Sequence, residues 1–300
     1  MRRRRFGRTG CIVSEISLGT VELGLAYGIE AVKPDESIAR KVLNHALDIG
    51  IDFIDTARGY GDSESIIGRA LEGRREEFFL ATKVQVPAQD VECRVHASVE
   101  ESLRCLRTDC VDLLMVHGAP GDTIDEPPLL ESLMKIQRSG KTRFLGASVY
   151  GENAALAAIA CGAYDALQIA FSALDRRPER KVLPAAAAAG VGIIARSVLL
   201  KGALTQRCKL LPPALAPIHH AVDELLSIEC EEGLPELSYR YVLAHSQVHS
   251  ALVGTADTAE LDAAIRFATR GPFESGIRAQ VQAVSISDER LLNPGNWPKW

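Results

Sequence analysis

The sequence predicts an α/β fold, a closed (β/α)8 barrel of the TIM type with an N-terminal β-hairpin. Three observations carry that expectation. Eight short apolar runs alternate with helix-length amphipathic segments over 300 residues, the length one such barrel needs. No Gly-x-Gly-x-x-Gly follows any of the runs, which argues against a doubly wound dinucleotide fold. Beyond the strand–helix period there is no internal repeat and no linker, so residues 1–300 read as a single domain.

The elements follow in order. Phe6–Val13 reads as a small hairpin about Arg8-Thr9-Gly10, with a turn glycine. Glu15–Leu18 is a short strand ending at Gly19-Thr20. Pro34-Asp35-Glu36 opens a helix to Ile49, with Ile38, Val42, Leu43, Ala46 and Leu47 at helical spacing and Gly50 as its stop. Asp52–Asp55 is the second strand and Ser63–Leu71 the second helix. Phe78–Val84 carries Lys83 at its end, and Val91–Leu106 is amphipathic through Val95, Val99, Leu103 and Leu106. Val111–Val116 leads to His117-Gly118, and the helix Leu129–Arg138 stops at Gly140. Thr142–Val149 pairs with the helix Glu152–Ala160, and Ala166–Phe171 with Lys181–Ala189. Val191–Arg196 is the seventh strand. An irregular insert, Leu199–Pro217, precedes helices at Ile218–Glu229 and Glu236–His245. Val248–Val253 is the eighth strand and Thr258–Ala268 its helix, and the tail ending NPGNWPKW reads as irregular.

Composition bounds the function. The chain is 47% hydrophobic and 24% charged with a net charge of -5, so it can bury a large core and implies no polyanionic partner. The basic opening MRRRRFGR leads directly into a turn and reads as a solvated strand end, not a nucleic-acid arm. No apolar segment of signal-peptide type follows the arginines, and no apolar run reaches membrane-spanning length. The greasiest segment, Val182–Ile194, is alanine-rich and broken by Gly190 and Gly192. A cytoplasmic protein, monomeric or weakly homo-oligomeric, with neither nucleic acid nor membrane as partner, is expected. Cys11, Cys93, Cys105, Cys110, Cys161, Cys208 and Cys230 form no CxxC pair and are odd in number, so they read as buried thiols and not as a metal site or disulfide framework.

The chain is organised around Phe53–Glu64, FIDTARGYGDSE. Asp55 closes a strand, and Tyr60 follows five residues later between Gly59 and Gly61. An ordinary strand-to-helix turn, capped by Asp62 or Ser63, would look the same locally. The next two strands add Lys83 and His117, and strand ends in such a barrel converge on one face. Tyrosine titrates near pH 10 and is a poor acid at neutrality; a lysine ammonium beside it favours the phenolate. An aspartate next to the lysine holds that charge, and a neutral histidine polarises a carbonyl oxygen. The group makes a proton donor and an oxyanion clamp that needs no metal. Singly, each residue has a plainer reading, such as a strand-end lysine paired with an acid or a histidine bonded to backbone.

The segments FGRTG with VSEISLGT, FIDTARGYGDSE, LATKV, LLMVHG, GASVY, DALQIAFS, ARSVLLKGAL and ALVGTADTAEL resemble those of the aldo-keto reductase family over nearly the whole chain. The resemblance implies an NAD(P)-dependent oxidoreductase (an alcohol dehydrogenase or carbonyl reductase) that interconverts an aldehyde or ketone and an alcohol by hydride transfer. It makes Tyr60 the general acid/base, tuned by Lys83 and Asp55, with His117 orienting the substrate. Its cofactor site maps onto Gly19, Thr20, Asp55, Ser148, Gln168, Arg196, Ser197, Leu199, Gly202, Gly254 and Glu260. Ser148 and Gln168 match the partners of the carboxamide, although Val149 stands where an asparagine is usual. Arg196 replaces an aromatic that stacks on the nicotinamide; a guanidinium can stack too, and its charge would change the cofactor's electronics. Ser197, Leu199 and Gly202 match the loop that approaches the pyrophosphate, and the plain reading of Leu199 and Gly202 is simply a loop.

Glu260 stands where relatives often carry Arg, Gln or His, and no basic residue lies between Gly254 and Arg266. A carboxylate there repels a 2′-phosphate and accepts a hydrogen bond from a free ribose hydroxyl, so NAD(H) is expected over NADP(H). The plainer role of Glu260 is to favour the helix dipole, and backbone N–H groups near Thr258 leave the phosphorylated form open. Loop Val21–Val32 offers Glu22 and Tyr27 to the substrate pocket, and Tyr150 adds an aromatic wall. A polyol, sugar, small aldehyde or aryl aldehyde would suit. Two other readings stay open. One is a Schiff-base aldolase using Lys83, which would require the lysine that Asp55 holds charged to be deprotonated. The other is a cofactor-binding, redox-sensing regulatory subunit of the same fold.

Overall fold

The computed structural model describes residues 1–118, 121 and 123–298. A two-stranded antiparallel sheet pairs β1 (Arg3–Arg5) with β2 (Ile12–Ser14). Eight parallel strands then close into a barrel: β3 (Ile16–Gly19), β4 (Phe53–Asp55), β5 (Phe79–Val84), β6 (Val111–His117), β7 (Thr142–Ser148), β8 (Ala166–Ala170), β9 (Gly192–Arg196) and β10 (Ser250–Gly254). Closure runs through β10 and β3, with Val253 opposite Leu18 and Gly254 opposite Gly19. The helices are α1 (Val21–Gly24), α2 (Glu36–Asp48), α3 (Ser63–Ala70), α4 (Val91–Leu106), α5 (Pro127–Arg138), α6 (Glu152–Ala160), α7 (Val182–Ala188), α8 (Ala216–Leu226), α9 (Gly233–Leu243), α10 (Thr258–Arg270) and α11 (Ser275–Ala283). Among the described residues, no helix is long and apolar enough to cross a membrane.

The two-residue alternation of a strand explains where the polar groups lie. Phe53, Phe79, Ala81, Leu113, Met115, Ala166 and Ile194 pack with Phe6 and Val13 in one apolar cluster, apart from the larger core that includes the buried faces of the helices. Two residues further along each strand, the same alternation reaches Asp55 on β4, Lys83 on β5, His117 on β6, Gln168 on β8 and Arg196 on β9. An apolar plug thus fills the lower barrel, and polar side chains finish the strands at their C-terminal ends.

Three expectations need correction. The predicted hairpin, Phe6–Val13, is mostly the connection; its strands begin further out, at Arg3 and Ile12. Phe6 is fully buried and meets Phe53 and Phe79 edge-on, with ring centroids 5.8 and 5.7 Å apart, so it is a barrel plug and not a strand residue. The basic opening is a strand end, but Arg4 is not merely solvated. Its guanidinium donates to Glu15 at 2.7 Å and to the carbonyls of Leu243, His245 and Val248. The tail, expected to be irregular, contains α11, held where Arg176 donates to the carbonyls of Val281, Gln282 and Val284. With Val281 its one buried residue, α11 has too short an apolar stripe to announce itself. The last two residues of NPGNWPKW lie outside the described residues.

Candidate active site

β4 delivers Asp55, and the loop after it folds back on itself: the Tyr60 amide donates to the Ala57 carbonyl at 3.0 Å, and Ser63 donates to the Tyr60 carbonyl at 3.1 Å. This loop packs backbone to backbone against α1. A Cβ on Gly24 would stand 1.9 Å from the Tyr60 carbonyl oxygen, and one on Gly61, whose φ is +55°, would stand 2.5 Å from that of Gly24. Only glycine fits such contacts, so both positions serve to fix the tyrosine.

The expected four residues meet. Lys83 is fully buried, and its ammonium donates to Asp55 Oδ2 at 2.6 Å, to the Thr56 carbonyl at 2.9 Å and to the Tyr60 hydroxyl at 3.4 Å. The other Asp55 oxygen accepts from Gln168 Nε2 at 2.8 Å, and the Ser148 hydroxyl donates to Gln168 Oε1 at 3.3 Å. The ring of His117 stands edge-on to that of Tyr60, with centroids 5.5 Å apart.

The electrostatics follow from burial and these contacts. Burial works against the charge on Lys83, but Asp55 and then Tyr60 outweigh it and hold the ammonium above its usual value. Burial pushes the Asp55 carboxyl up, opposed by Lys83 and Gln168. For Tyr60 the outcome differs from the expected depression. Burial raises the phenol above its ordinary value, and the downward pull of Lys83 does not overcome it. Tyr60 therefore rests as a protonated donor. Burial, then Lys83 and Arg196, lower His117 to about 4, so its ring is neutral, and its buried Nδ1 has no hydrogen-bond partner among the described residues.

Above Lys83 opens a cleft of about 540 Å³ lined by Asp55, Tyr60 and His117. Every cofactor candidate lines it as well: Gly19, Thr20, Ser148, Gln168, Arg196, Ser197, Leu199, Gly202, Gly254 and Glu260. So do Glu22, Tyr27 and Tyr150. After β9 the backbone is strained: Ser197, Leu200 and Lys201 hold φ of +58°, +46° and +57°, a region that costs about 1–3 kcal/mol per non-glycine residue.

Three of these side chains have close partners that the sequence does not announce. Arg196 lies over the ring of Tyr150, its Cζ 4.0 Å from the centroid, and donates to the Val149 carbonyl at 3.2 Å. Together these two side chains also line a second cavity, of about 430 Å³. Glu260 is not a free carboxylate: Arg207 donates to it at 3.0 Å and the Thr255 hydroxyl at 2.6 Å. Glu22 lines the cleft, with its carboxylate beside Gly254, where a Cβ would be 3.4 Å from it. Burial and then Glu260 raise it to about 7, against Arg207. Arg207 was missed altogether. It comes from the insert, and its only signal was a charge in a segment without periodicity. It also donates to Glu30 at 2.7 Å and so ties the insert to the first loop.

A buried ammonium–carboxylate pair beneath a protonated phenol and a neutral imidazole, all at the C-terminal ends of parallel strands, places the chain among the (β/α)8-barrel oxidoreductases. The sequence model of the Aldo/keto reductase family matches residues 15–285, and the chain belongs to that family. It is 29% identical over 286 residues to YqkF, an oxidoreductase of Bacillus subtilis (strain 168), covering 87% of this chain and 89% of that protein. It is 29% identical over 282 residues to an L-galactose dehydrogenase of Arabidopsis thaliana, covering 86% of this chain and 85% of that one. The structure is similar to the holo form of the aldo-keto reductase AKR11C1 from Bacillus halodurans, with a TM-score of 0.81, 27% identity, and coverage of 95% of this chain and 96% of that chain.

Proposed function

We propose that the chain is an NAD(P)-dependent oxidoreductase that interconverts an aldehyde or ketone and an alcohol. One arrangement carries the reading: the Lys83 ammonium bonded at once to Asp55 and to the Tyr60 hydroxyl, beside the neutral ring of His117. The residues of the cleft fit a nicotinamide dinucleotide. The buried hydroxyl of Ser148 and amide of Gln168 suit a carboxamide. The left-handed turn at Ser197, Leu200 and Lys201 offers backbone to an anionic pyrophosphate. When bound, the cofactor supplies or accepts the hydride.

The protein's own residues handle the proton and the oxygen. In reduction Tyr60 gives its proton to the carbonyl oxygen, and Lys83 stabilises the phenolate left behind. In oxidation the same oxygen takes the alcohol's proton. Asp55 keeps Lys83 charged, and His117 donates a hydrogen bond to the substrate oxygen. Tyr27 and Tyr150 form walls for the substrate. A Schiff-base role for Lys83 is disfavoured, because a charged amine with three acceptors is no nucleophile.

NAD(H) is the preferred cofactor in this reading. Glu30 and Glu260 both bind Arg207, so its charge is already compensated where a 2′-phosphate would need it. The test combines fluorescence titration of NADH and NADPH with turnover in both directions on a panel of aldoses, polyols and aldehydes. The similarity to an L-galactose dehydrogenase puts aldoses first. Tyr60→Phe should keep cofactor affinity and lose about 10²–10⁴-fold in turnover; near-full turnover would return Tyr60 to an ordinary loop residue. NADH should bind the wild type more tightly, and Glu260→Arg should shift the ratio towards NADPH. Tighter NADPH binding in the wild type would refute the preference.

A further inference from the structure

Arg196 is an unusual group for the middle of such a cleft. It ends β9 beside Ala170 of β8, and its Nη2 reaches across to the carbonyl of Val149, the residue after Ser148. Nη1 donates to the Ser197 hydroxyl at 3.3 Å, and Nε is buried with no partner among the described residues. Tyr150 supplies the flat surface under the guanidinium, 4.0 Å from Cζ. Among the described residues, Arg196 meets neutral partners, a carbonyl, a hydroxyl and an aromatic face, and is hydrogen-bonded to no carboxylate. Lys83 differs, because Asp55 compensates it at 2.6 Å. The charge on Arg196 acts on Asp55, Tyr60 and His117, which places it next to the reacting groups.

A nicotinamide held by its carboxamide at Ser148 and Gln168 and offered to Tyr60 has this cation in its surroundings. The two redox states of that ring differ by one charge: the oxidised ring is positive and the reduced ring neutral. A fixed cation therefore discriminates between them, and in a partly enclosed cleft it does so more strongly than in bulk solvent.

We propose that Arg196 is a tuning residue: fixed against Tyr150, it makes the site bind the reduced cofactor more tightly than the oxidised one and so draws the bound reaction towards the carbonyl. In balanced form, alcohol and oxidised cofactor give carbonyl, reduced cofactor and a proton. The carbinol carbon would lose a hydride, with its two electrons, to the ring, and the hydroxyl proton would pass to the Tyr60 oxygen once that oxygen has released its own proton to solvent. The proposal rests on the reading that a nicotinamide cofactor occupies this cleft.

The test is an equilibrium one and needs no substrate. NAD⁺ and NADH are titrated by calorimetry into the wild type, Arg196→Gln, Arg196→Lys and Tyr150→Leu. The wild type should favour NADH over NAD⁺ by about tenfold or more, which for a two-electron couple is about 30 mV. Arg196→Gln should lose most of that ratio, and Arg196→Lys, which keeps the charge, should retain most of it. Tyr150→Leu leaves the charge but removes its support, and should lower the ratio to between the two. It provides an independent reading if Arg196→Gln does not fold. Equal ratios in the wild type and Arg196→Gln, with both forms bound, would overturn the tuning role alone. A wild type that binds neither form would remove the cofactor reading and this proposal with it.

Discussion

Lys83→Met is the sharpest perturbation of the site. It removes the ammonium that lies 3.4 Å from the Tyr60 hydroxyl and leaves a side chain of similar length. At an effective dielectric near 20, a unit charge on the Tyr60 oxygen interacts with that ammonium by about 5 kcal/mol, an upper bound for this geometry. That corresponds to more than three pKa units, all of it favouring the phenolate. Burial already holds Tyr60 above its ordinary value, and the weaker downward pull of Arg196 is all the positive charge that remains beside it among the described residues. In alcohol oxidation, where the proposed mechanism has Tyr60 accept a proton, the rising limb of kcat/KM against pH should move up by one unit or more. Turnover near neutrality should fall by about 10²-fold or more. The assay follows reduced-cofactor absorbance across the pH range, with unfolding measured alongside. The stability control matters because Asp55 is left buried beside an apolar chain, and breaking a buried pair costs about 3–5 kcal/mol. Asp55→Asn combined with Lys83→Met removes both charges and should recover much of that stability without recovering activity. If the folded single variant keeps the wild-type pH limb, Lys83 does not act on the phenol and the coupling is wrong.

Two further predictions concern protonation. His117 is lowered from 6.5 to about 4, so the stability of its neutral, buried state is fully present above 6.5 and is lost progressively as pH falls from 6.5 through about 4. Its ring resonances should not titrate near 6.5, and the substrate-orienting role predicts a raised KM as well as a lower kcat in His117→Ala; a titration near 6.5, or normal kinetics in the variant, would contradict the assignment. Glu22 is raised from 4.5 to about 7, so its neutral form stabilises the fold below 4.5 and that contribution is lost as pH rises through about 7. Glu22→Gln should therefore raise the unfolding free energy above that pH by up to about 3 kcal/mol and leave it nearly unchanged at low pH. An equal gain at both ends would trace to packing and not to ionisation.

What the sequence makes legible is what neighbours in the chain encode. Asp55, Lys83 and His117 each close an apolar run, and a strand repeats every two residues, so the polar residue at its end continues the inward face. That logic brings these side chains to one end of the barrel, and it needs no knowledge of partners. It fails where a residue's meaning lies far away in sequence. Phe6 reads as part of a strand until its contacts with Phe53 and Phe79 identify it as a plug. Glu260 reads as a free carboxylate until Arg207, 53 residues earlier and in a segment of no periodicity, is found bonded to it. Gln168 reads as a carboxamide partner, and its tie to Asp55, across 113 residues, cannot be read from either segment. The state of Tyr60 belongs to the same class. The residue types give the sign of each influence, Lys83 pulling down and burial pushing up, but burial is a property of the closed barrel and decides which prevails. The consequence is functional. In the proposed mechanism, a phenol that rests protonated is ready to donate to a carbonyl, whereas alcohol oxidation must first draw the proton off against that burial. The contribution of Lys83, and of the uncompensated charge on Arg196, should therefore be felt most in the oxidative direction.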